Sequence, residues 1–129
     1  MEITVYLRPK TGMQKGKFRC IFGNESIHLI KKREALLETE YRYIIPYNKM
    51  VKFDDKNYFS VPGLEIYVKE NSNLELPPTP SLGIGGIIGM IISSIKTKSN
   101  RFVLYFDSDE DKEMFIENAK KINNEINYK

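Results

Sequence analysis

Arg101-Phe-Val-Leu-Tyr-Phe106 and then Asp107-Ser-Asp-Glu-Asp111 decide the fold of this chain. The first six residues are mostly aromatic and aliphatic, which predicts a strand. In the second stretch Ser108 is a favourable N-cap, and Asp111 three residues later completes the pattern of a capping box. Acidic side chains also suit the positive end of a helix dipole. The sequence therefore predicts a helix over about 108–124, directly after a strand.

The predicted helix has one apolar face, formed by Phe115, Ala119, Ile122 and Ile126. These residues recur at steps of four, three and four, which is the spacing of an amphipathic helix. Lys120 and Lys121 stand near its C-terminus, where the helix dipole favours cations. The apolar face needs a surface to cover, and the strands that precede the helix are the candidate.

Most of the chain before this helix alternates apolar and polar residues with the period of a strand. The clearest case is Glu2–Arg8, in which Ile3, Val5 and Leu7 share one face. Further strands are predicted at 15–22, 26–31, 41–45, 50–53, 58–61 and 64–69. Short strands expose edges that pair with other chains, and curling into a barrel limits this exposure. The sequence predicts an α+β, mostly β fold: a small antiparallel barrel or sheet capped by the C-terminal helix.

The length of the chain predicts one domain over 1–129, and the break in the strand pattern at about 70–100 predicts an insert. The chain has 129 residues, and 41% of them are hydrophobic, which is enough for a packed core. The single cysteine, Cys20, excludes an internal disulfide, and its place between Phe18 and Phe22 in the alternation predicts a buried thiol. Met1–Val5 lacks the charged start and apolar run of a signal peptide, which favours the cytoplasm.

The residues that common catalytic and metal sites require are scarce. One histidine, His28, and one cysteine cannot supply a tetrahedral zinc site, and His28 on a strand gives no sign of a catalytic triad. The acidic run at 107–111 is not a calcium loop, because Lys112 stands where glycine is required. Gly83–Ile88 lacks the last glycine of a dinucleotide fingerprint. We therefore expect a non-enzymatic protein without cofactor or metal.

The first candidate surface is basic. Lys15, Lys17 and Arg19 share one face of a predicted strand because they are two residues apart. Lys10 precedes them, and Lys31, Lys32 and Arg33 follow the predicted hairpin. Residues 1–33 hold eight Lys and Arg against two Glu, a net charge of +6, whereas the whole chain carries +3. This surface suits weak, salt-sensitive binding to an anionic membrane; the alternative is that the lysines only protect an exposed strand from aggregation.

The second candidate surface is the apolar segment Leu82–Ile95, which has six isoleucines, four glycines and no charge. As a helix it would be about 21 Å long, too short for a hydrocarbon core of about 30 Å. Ile84, Ile88, Ile91 and Ile95 would share one face, and Gly85 and Gly89 would form a small-residue pair on another. The segment is interpreted as packing on the chain's own barrel or on a second copy of the chain, as a shallow membrane insertion or as a flexible glycine-rich loop.

The order of these segments resembles the pleckstrin-homology-like superfamily, especially its prokaryotic and GRAM-like members. The resemblance is carried by the hairpin Gly16–Ile30, by Tyr43–Val51 with its Ile-Pro strand exit, and by Phe102–Phe106 with the helix after it. It implies a strongly bent seven-stranded barrel plugged by the helix, and binding of lipid headgroups or proteins rather than catalysis. The chain departs from the family in lacking a tryptophan in the last helix, where Phe115 takes its place, and in its apolar insert.

These observations leave three functional hypotheses. The first is a non-enzymatic interaction module that binds a protein partner or an anionic membrane surface, in the cytoplasm or peripherally at the inner face of the membrane. The second is a structural, self-assembling homo-oligomer that uses the 82–95 segment. The third is an enzyme with an unrecognised carboxylate site. Nucleic acid is not expected as a partner, because no basic-and-aromatic binding module is present.

Overall fold

Seven antiparallel strands and a C-terminal helix form the part of the chain that the structure, a computed structural model, describes: residues 1–9, 16–31, 41–77 and 100–128. The strands are β1 (Glu2–Tyr6), β2 (Lys17–Phe22), β3 (Ser26–Lys31), β4 (Tyr41–Pro46), β5 (Met50–Asp55), β6 (Gly63–Val68) and β7 (Arg101–Phe106). A one-turn 3-10 helix, Tyr47–Lys49, joins β4 to β5, and the helix α1 is Asp109–Ile122. The strand order is β4-β3-β2-β1-β7-β6-β5, which confirms the predicted mostly β class.

The sheet is strongly curled, because its two edge strands are close neighbours in sequence. Only Tyr47–Lys49 lies between the last residue of β4 and the first residue of β5. Four Cα–Cα steps of about 3.8 Å can span at most about 15 Å. In a flat sheet, six strand spacings of about 4.8 Å would place the edges about 29 Å apart. The sheet therefore bends until its edges approach each other.

One face of each strand lines a shared core, as the period-two pattern predicts. Ile3, Val5 and Leu7 are buried, and so are Phe18 and Cys20 on the neighbouring strand. Burial raises the pKa of the Cys20 thiol to about 12, so the thiol is protonated at neutral pH. The prediction of a buried, structural cysteine is confirmed.

Helix α1 begins where its sequence signals place it. Ser108 is the N-cap, and its hydroxyl accepts a hydrogen bond of 3.2 Å from the backbone N–H of Asp111. The predicted apolar face is only partly right: Phe115 and Ala119 are fully buried, but Ile122 is 46% exposed. Ile116 is buried in its place, so the buried face is centred between Phe115 and Ile116 and Ile122 falls at its margin.

Phe115 shows how α1 closes one end of the curled sheet. Its ring centroid lies 6.0 Å from that of Phe22 on β2, 5.8 Å from that of Phe53 on β5 and 5.8 Å from that of Phe106 on β7. Strands β2 and β5 are four steps apart in the sheet, about 19 Å if it were flat. One ring can touch both only because the sheet is bent around it. Phe115 therefore packs at the centre of the core that α1 covers.

The chain after α1 covers the free edge of β5. The N–H of Asn127 donates to the carbonyl of Val51 at 3.0 Å, and the N–H of Phe53 donates to the carbonyl of Asn127 at 2.8 Å. Ile126, predicted as part of the helix face, is buried but lies beyond the end of α1. The side-chain amide of Asn123 donates to the carbonyls of Tyr47 and Met50 at 2.8 and 3.1 Å. These bonds fix the tail against the link between the two edge strands.

One predicted strand is wrong. Tyr58–Val61 forms an isolated bridge around a two-residue turn in the connection between β5 and β6. The residues Phe59 and Ser60 at its centre form the turn itself, so neither pairs along a strand. The insert segment 82–95 lies outside the described residues.

Candidate functional site

Three connections leave the sheet in the same strand direction. Strands β1, β3 and β6 run in one direction, because every neighbouring pair in the sheet is antiparallel. The connections that follow them, β1–β2, β3–β4 and β6–β7, therefore leave the sheet in the same direction. The register staggers their starts: Tyr6 at the end of β1 lies opposite Tyr105, whereas Tyr67 near the end of β6 lies opposite Arg101. Helix α1 packs against Phe22 and Phe106, which are the last residues of β2 and β7 and mark the opposite end. We call the end away from α1 the open end.

Several cationic residues flank these connections, and Glu70 adds one exposed acidic residue beside them. Arg8 follows β1, Lys17 opens β2 and Lys69 follows β6, and all three are exposed. Arg101 opens β7, and its guanidinium lies 3.8 Å from the carboxylate of Glu65. The N–H of Leu7 donates to the carbonyl of Gly16 at 2.9 Å, and this bond holds together the segments that carry Arg8 and Lys17. The open end therefore presents positive charge from two connections that are distant in sequence, β1–β2 and β6–β7.

The predicted pairing of Lys17 and Arg19 on one face is confirmed, and both are exposed on the outside of the sheet. Lys17 lies opposite Tyr6, and Arg19 lies opposite Thr4. Arg19 is also engaged by Glu2, whose two carboxylate oxygens accept hydrogen bonds of 3.0 and 2.8 Å from its guanidinium. This contact lowers the pKa of Glu2. Glu2 thus offsets part of the charge of Arg19. The alternation of residues in the sequence did not predict this contact.

Lys31 lies near the other basic residues of the open end, but it is not on the outer face of its strand. It is the last residue of β3 at the open end, but alternation gives it the same side of the strand as Ile27 and Leu29, which are buried. On the outer face the residue opposite Ile30 is Arg42 of β4, an exposed cation that was not predicted. The alternation of side-chain direction along Tyr41–Ile45 could have predicted that Arg42 is exposed.

The other predicted basic residues, Lys10, Lys15, Lys32 and Arg33, lie outside the described residues. So do the predicted contact residues of the insert: Ile84, Gly85, Ile88, Gly89, Ile91 and Ile95. Their flanking residues are described, however. Pro9 and Gly16 flank residues 10–15, and Lys31 and Tyr41 flank residues 32–40. All four flanking residues lie at the open end. These two sequences therefore start and finish at the basic end of the sheet.

A second polar cluster lies near the helix end of the sheet, around the buried Lys112. Its ammonium donates to Asn57 Oδ1 at 2.8 Å and lies 2.9 Å from Asp55 Oδ1. Asp55 also accepts a hydrogen bond of 2.9 Å from the hydroxyl of Tyr128. The bond from Lys112 is the main cause that lowers the pKa of Asp55. Each of these groups is satisfied by another, so the cluster ties α1 and the C-terminal tail to β5.

The described residues offer no site assembled from three or more His, Cys, Asp or Glu side chains that would hold a metal ion. Over the same residues, no helix has both the length and the apolar character needed to cross a bilayer. Comparisons with protein-family models, with curated proteins and with solved structures found no match to this chain. The interpretation of the open end therefore depends on its own chemistry.

Proposed function

We propose that this protein is a non-enzymatic, pleckstrin-homology-like interaction module that binds an anionic membrane surface through its open end. The supporting observation is topological: β1, β3 and β6 run in the same direction, and the residues that follow or face their ends include Arg8, Lys17 and Lys69. The sequences between these strands add Lys10, Lys15, Lys32 and Arg33. The module would reside in the cytoplasm and attach peripherally.

The magnitude expected for such a surface is modest. A basic residue close to an anionic membrane contributes about 1 kcal/mol, and exposed charges are screened within about 10 Å at ordinary salt. Several basic residues at one end can therefore give reversible attachment that high salt abolishes. Arg19 contributes less than its charge suggests, because Glu2 accepts two hydrogen bonds from it.

The resemblance to the superfamily supports the same proposal. Seven antiparallel strands followed by one helix, with edge strands joined by Tyr47–Lys49, fit a bent sheet that closes into a barrel. In such a barrel α1 would plug one mouth, and the other mouth would be left for a ligand. A lipid headgroup at that mouth would meet cations from two connections at once.

Vesicle cosedimentation tests this proposal. The wild type should sediment with vesicles of phosphatidylcholine and phosphatidylserine at low salt, but not at high salt and not with phosphatidylcholine alone. Replacing Arg8, Lys17 and Lys69 by Gln should weaken binding about hundredfold, at about fivefold per charge. The control replaces Lys56, Lys120 and Lys121, which lie on the β5–β6 connection and on α1, by Gln and changes the net charge equally. Equal sedimentation with all vesicles, or equal loss in both triple variants, would contradict the proposal.

Self-assembly through the insert is a second candidate. The N–H of Val68 donates to the carbonyl of Asn100 at 2.8 Å, so the chain leaves β6 and re-enters β7 at adjacent points of the open end. The connection between these two strands contains the uncharged isoleucine-rich sequence 82–95, whose composition suits contact with a second copy. Light scattering should then give an oligomer that becomes a monomer when Ile88 and Ile91 are both replaced by Lys. A wild type that is monomeric at high concentration removes this candidate.

A further inference from the structure

Among the described residues with large apolar side chains, Phe59 is the most exposed. It is 90% exposed, at the tip of the connection between β5 and β6. Its backbone φ is +52°, in the left-handed region. Glycine and asparagine adopt this region readily, whereas for a bulky side chain it is an outlier. Two unfavourable features, exposure to water and a strained backbone, therefore coincide at one residue.

Hydrogen bonds between the two arms of the connection support the turn that carries Phe59. The N–H and carbonyl of Tyr58 exchange hydrogen bonds of 3.0 and 2.9 Å with Val61, which closes a two-residue turn around Phe59. Below it, Asn57 Oδ1 accepts bonds from the N–H of Gly63 at 2.9 Å and from Lys112 at 2.8 Å. A side chain at Gly63 would collide with the carbonyl of Lys56, which shows how closely the two arms approach. The turn holds Phe59 in a fixed position.

The ring gains little from this position within the protein itself. It lies edge-on against Tyr58, with centroids 4.7 Å apart at 90°, and otherwise projects into solvent. Residues with more favourable backbone energies at this position, such as Gly or Asn, would close the same turn. Backbone strain of this kind persists where the surrounding structure imposes it, and such strain clusters at functional sites.

The charges around the tip suit a protein better than an anionic bilayer. Asp54 lies 3.3 Å from Lys52, and Asp55 lies 2.9 Å from Lys112, so the acidic groups next to the turn are paired. Lys56 adds one exposed cation at the base of the turn, so the rim around the aromatic ring carries only a small net charge. A single ring that fills a pocket with a polar rim is the usual anchor of a protein interface. The turn also follows β5 at the helix end, so a membrane held at the open end, as in the proposed function, would leave Phe59 facing away from it.

We infer that Phe59 is a preorganised anchor for a protein partner, which receives its ring in an apolar pocket at the end of the molecule opposite the basic surface. Holding the ring in its bound position before contact removes the ordering cost that a flexible loop would add on binding. The partner needs a cavity of about the size of a phenyl group and a rim without strong net charge. This surface is separate from the open end, so the protein would have two recognition ends.

Two measurements on the full chain test this inference. The first is stability: Phe59→Asn and Phe59→Gly should leave the thermal midpoint unchanged or raise it, because the backbone strain is relieved. A fall of several degrees in both variants would show that the ring supports the fold, and would overturn the inference.

The second measurement is recognition. A photoreactive benzoyl-phenylalanine at position 59, in the cells that produce the protein, should form an adduct that the same group at exposed Glu113 on α1 does not form. With that partner purified, Phe59→Ala should weaken binding at least thirtyfold, as expected for an anchor residue, while Ile122→Ala leaves it unchanged. The absence of a position-specific adduct, or equal affinities, would overturn the inference. An adduct to a second copy, or loss of vesicle binding in Phe59→Ala, would also overturn it and assign the turn to self-association or to the membrane.

Discussion

Lys112 Nζ lies 2.9 Å from Asp55 Oδ1, and this contact joins the first turns of α1 to the last residue of β5. The lysine is 7% exposed, whereas the aspartate is half-exposed. Asp55→Asn removes the charge that faces the buried ammonium and should lower the free energy of unfolding by about 1–2 kcal/mol at neutral pH, as measured by urea denaturation. The control is Asp54→Asn, whose pair with Lys52 is exposed and should be worth less than about 0.5 kcal/mol.

The same pair predicts a pH dependence. The pKa of Asp55 lies below its ordinary value of 3.8 because Lys112 donates a hydrogen bond to the carboxylate. A lowered carboxyl pKa stabilises the fold fully above the ordinary pKa, and the contribution is lost as pH falls through the folded pKa. The stability difference between the wild type and Asp55→Asn should therefore be constant near neutrality and shrink below about pH 4. A difference that stays constant down to strongly acid pH would contradict this assignment.

Phe115 is predicted to be the costliest side chain of α1 to truncate. It is fully buried and its ring meets those of Phe22, Phe53 and Phe106. Phe115→Ala should lower the free energy of unfolding by about 3–5 kcal/mol, because it leaves a cavity at the centre of the core. Met114→Ala, one residue away and 37% exposed, should cost much less. Similar losses in the two variants would show that α1 does not cover the curled sheet as described.

The N-cap of α1 is tested by two substitutions at Ser108. Ser108→Ala removes the hydroxyl that accepts from the N–H of Asp111 and should cost about 1 kcal/mol. Ser108→Asp keeps an acceptor at the same position and should retain most of the stability. Both values come from urea denaturation, and an Ala variant as stable as the wild type would show that the cap contributes nothing.

The C-terminal tail should contribute through one side chain and through its backbone. Ile126 is 2% exposed, and Ile126→Ala should lower the free energy of unfolding by about 2–4 kcal/mol. Asn127→Ala keeps the backbone bonds to Val51 and Phe53 and should change stability little. Deleting 124–129 uncovers the edge of β5, and we expect aggregation at rising concentration by light scattering. A truncated chain as stable and monodisperse as the wild type would refute this role.

Local signals in the sequence were sufficient for most elements. Most strands before β7 follow period-two alternation, β7 follows its aromatic and aliphatic composition, and the start of α1 follows its cap. All three signals depend on near neighbours in the chain. The exposure of Ile122 was not predicted, since it depends on how α1 is rotated against the core. The burial of Lys112 was also missed, because its partners Asp55 and Asn57 are more than fifty residues away in sequence.

The candidate surfaces were predictable to a lesser degree. The shared face of Lys17 and Arg19 follows from alternation alone, but the contact of Arg19 with Glu2 requires the register of β1 against β2. The joining of three connections at the open end depends on strand order, which no local pattern contains. Phe59 was read as part of a strand, because a phenylalanine between Tyr58 and Ser60 carries no turn signal.

The most direct measurement of the central claim is a map of backbone amide chemical shifts as lipid nanodiscs containing phosphatidylserine are added to the labelled protein. Binding through the open end predicts that the amides of Arg8, Lys17, Lys31 and Lys69 shift together, and that those of Asn57–Val61 and of the outer face of α1 do not. Shifts confined to α1 and to the β5–β6 connection, or no shifts with any lipid, would contradict it.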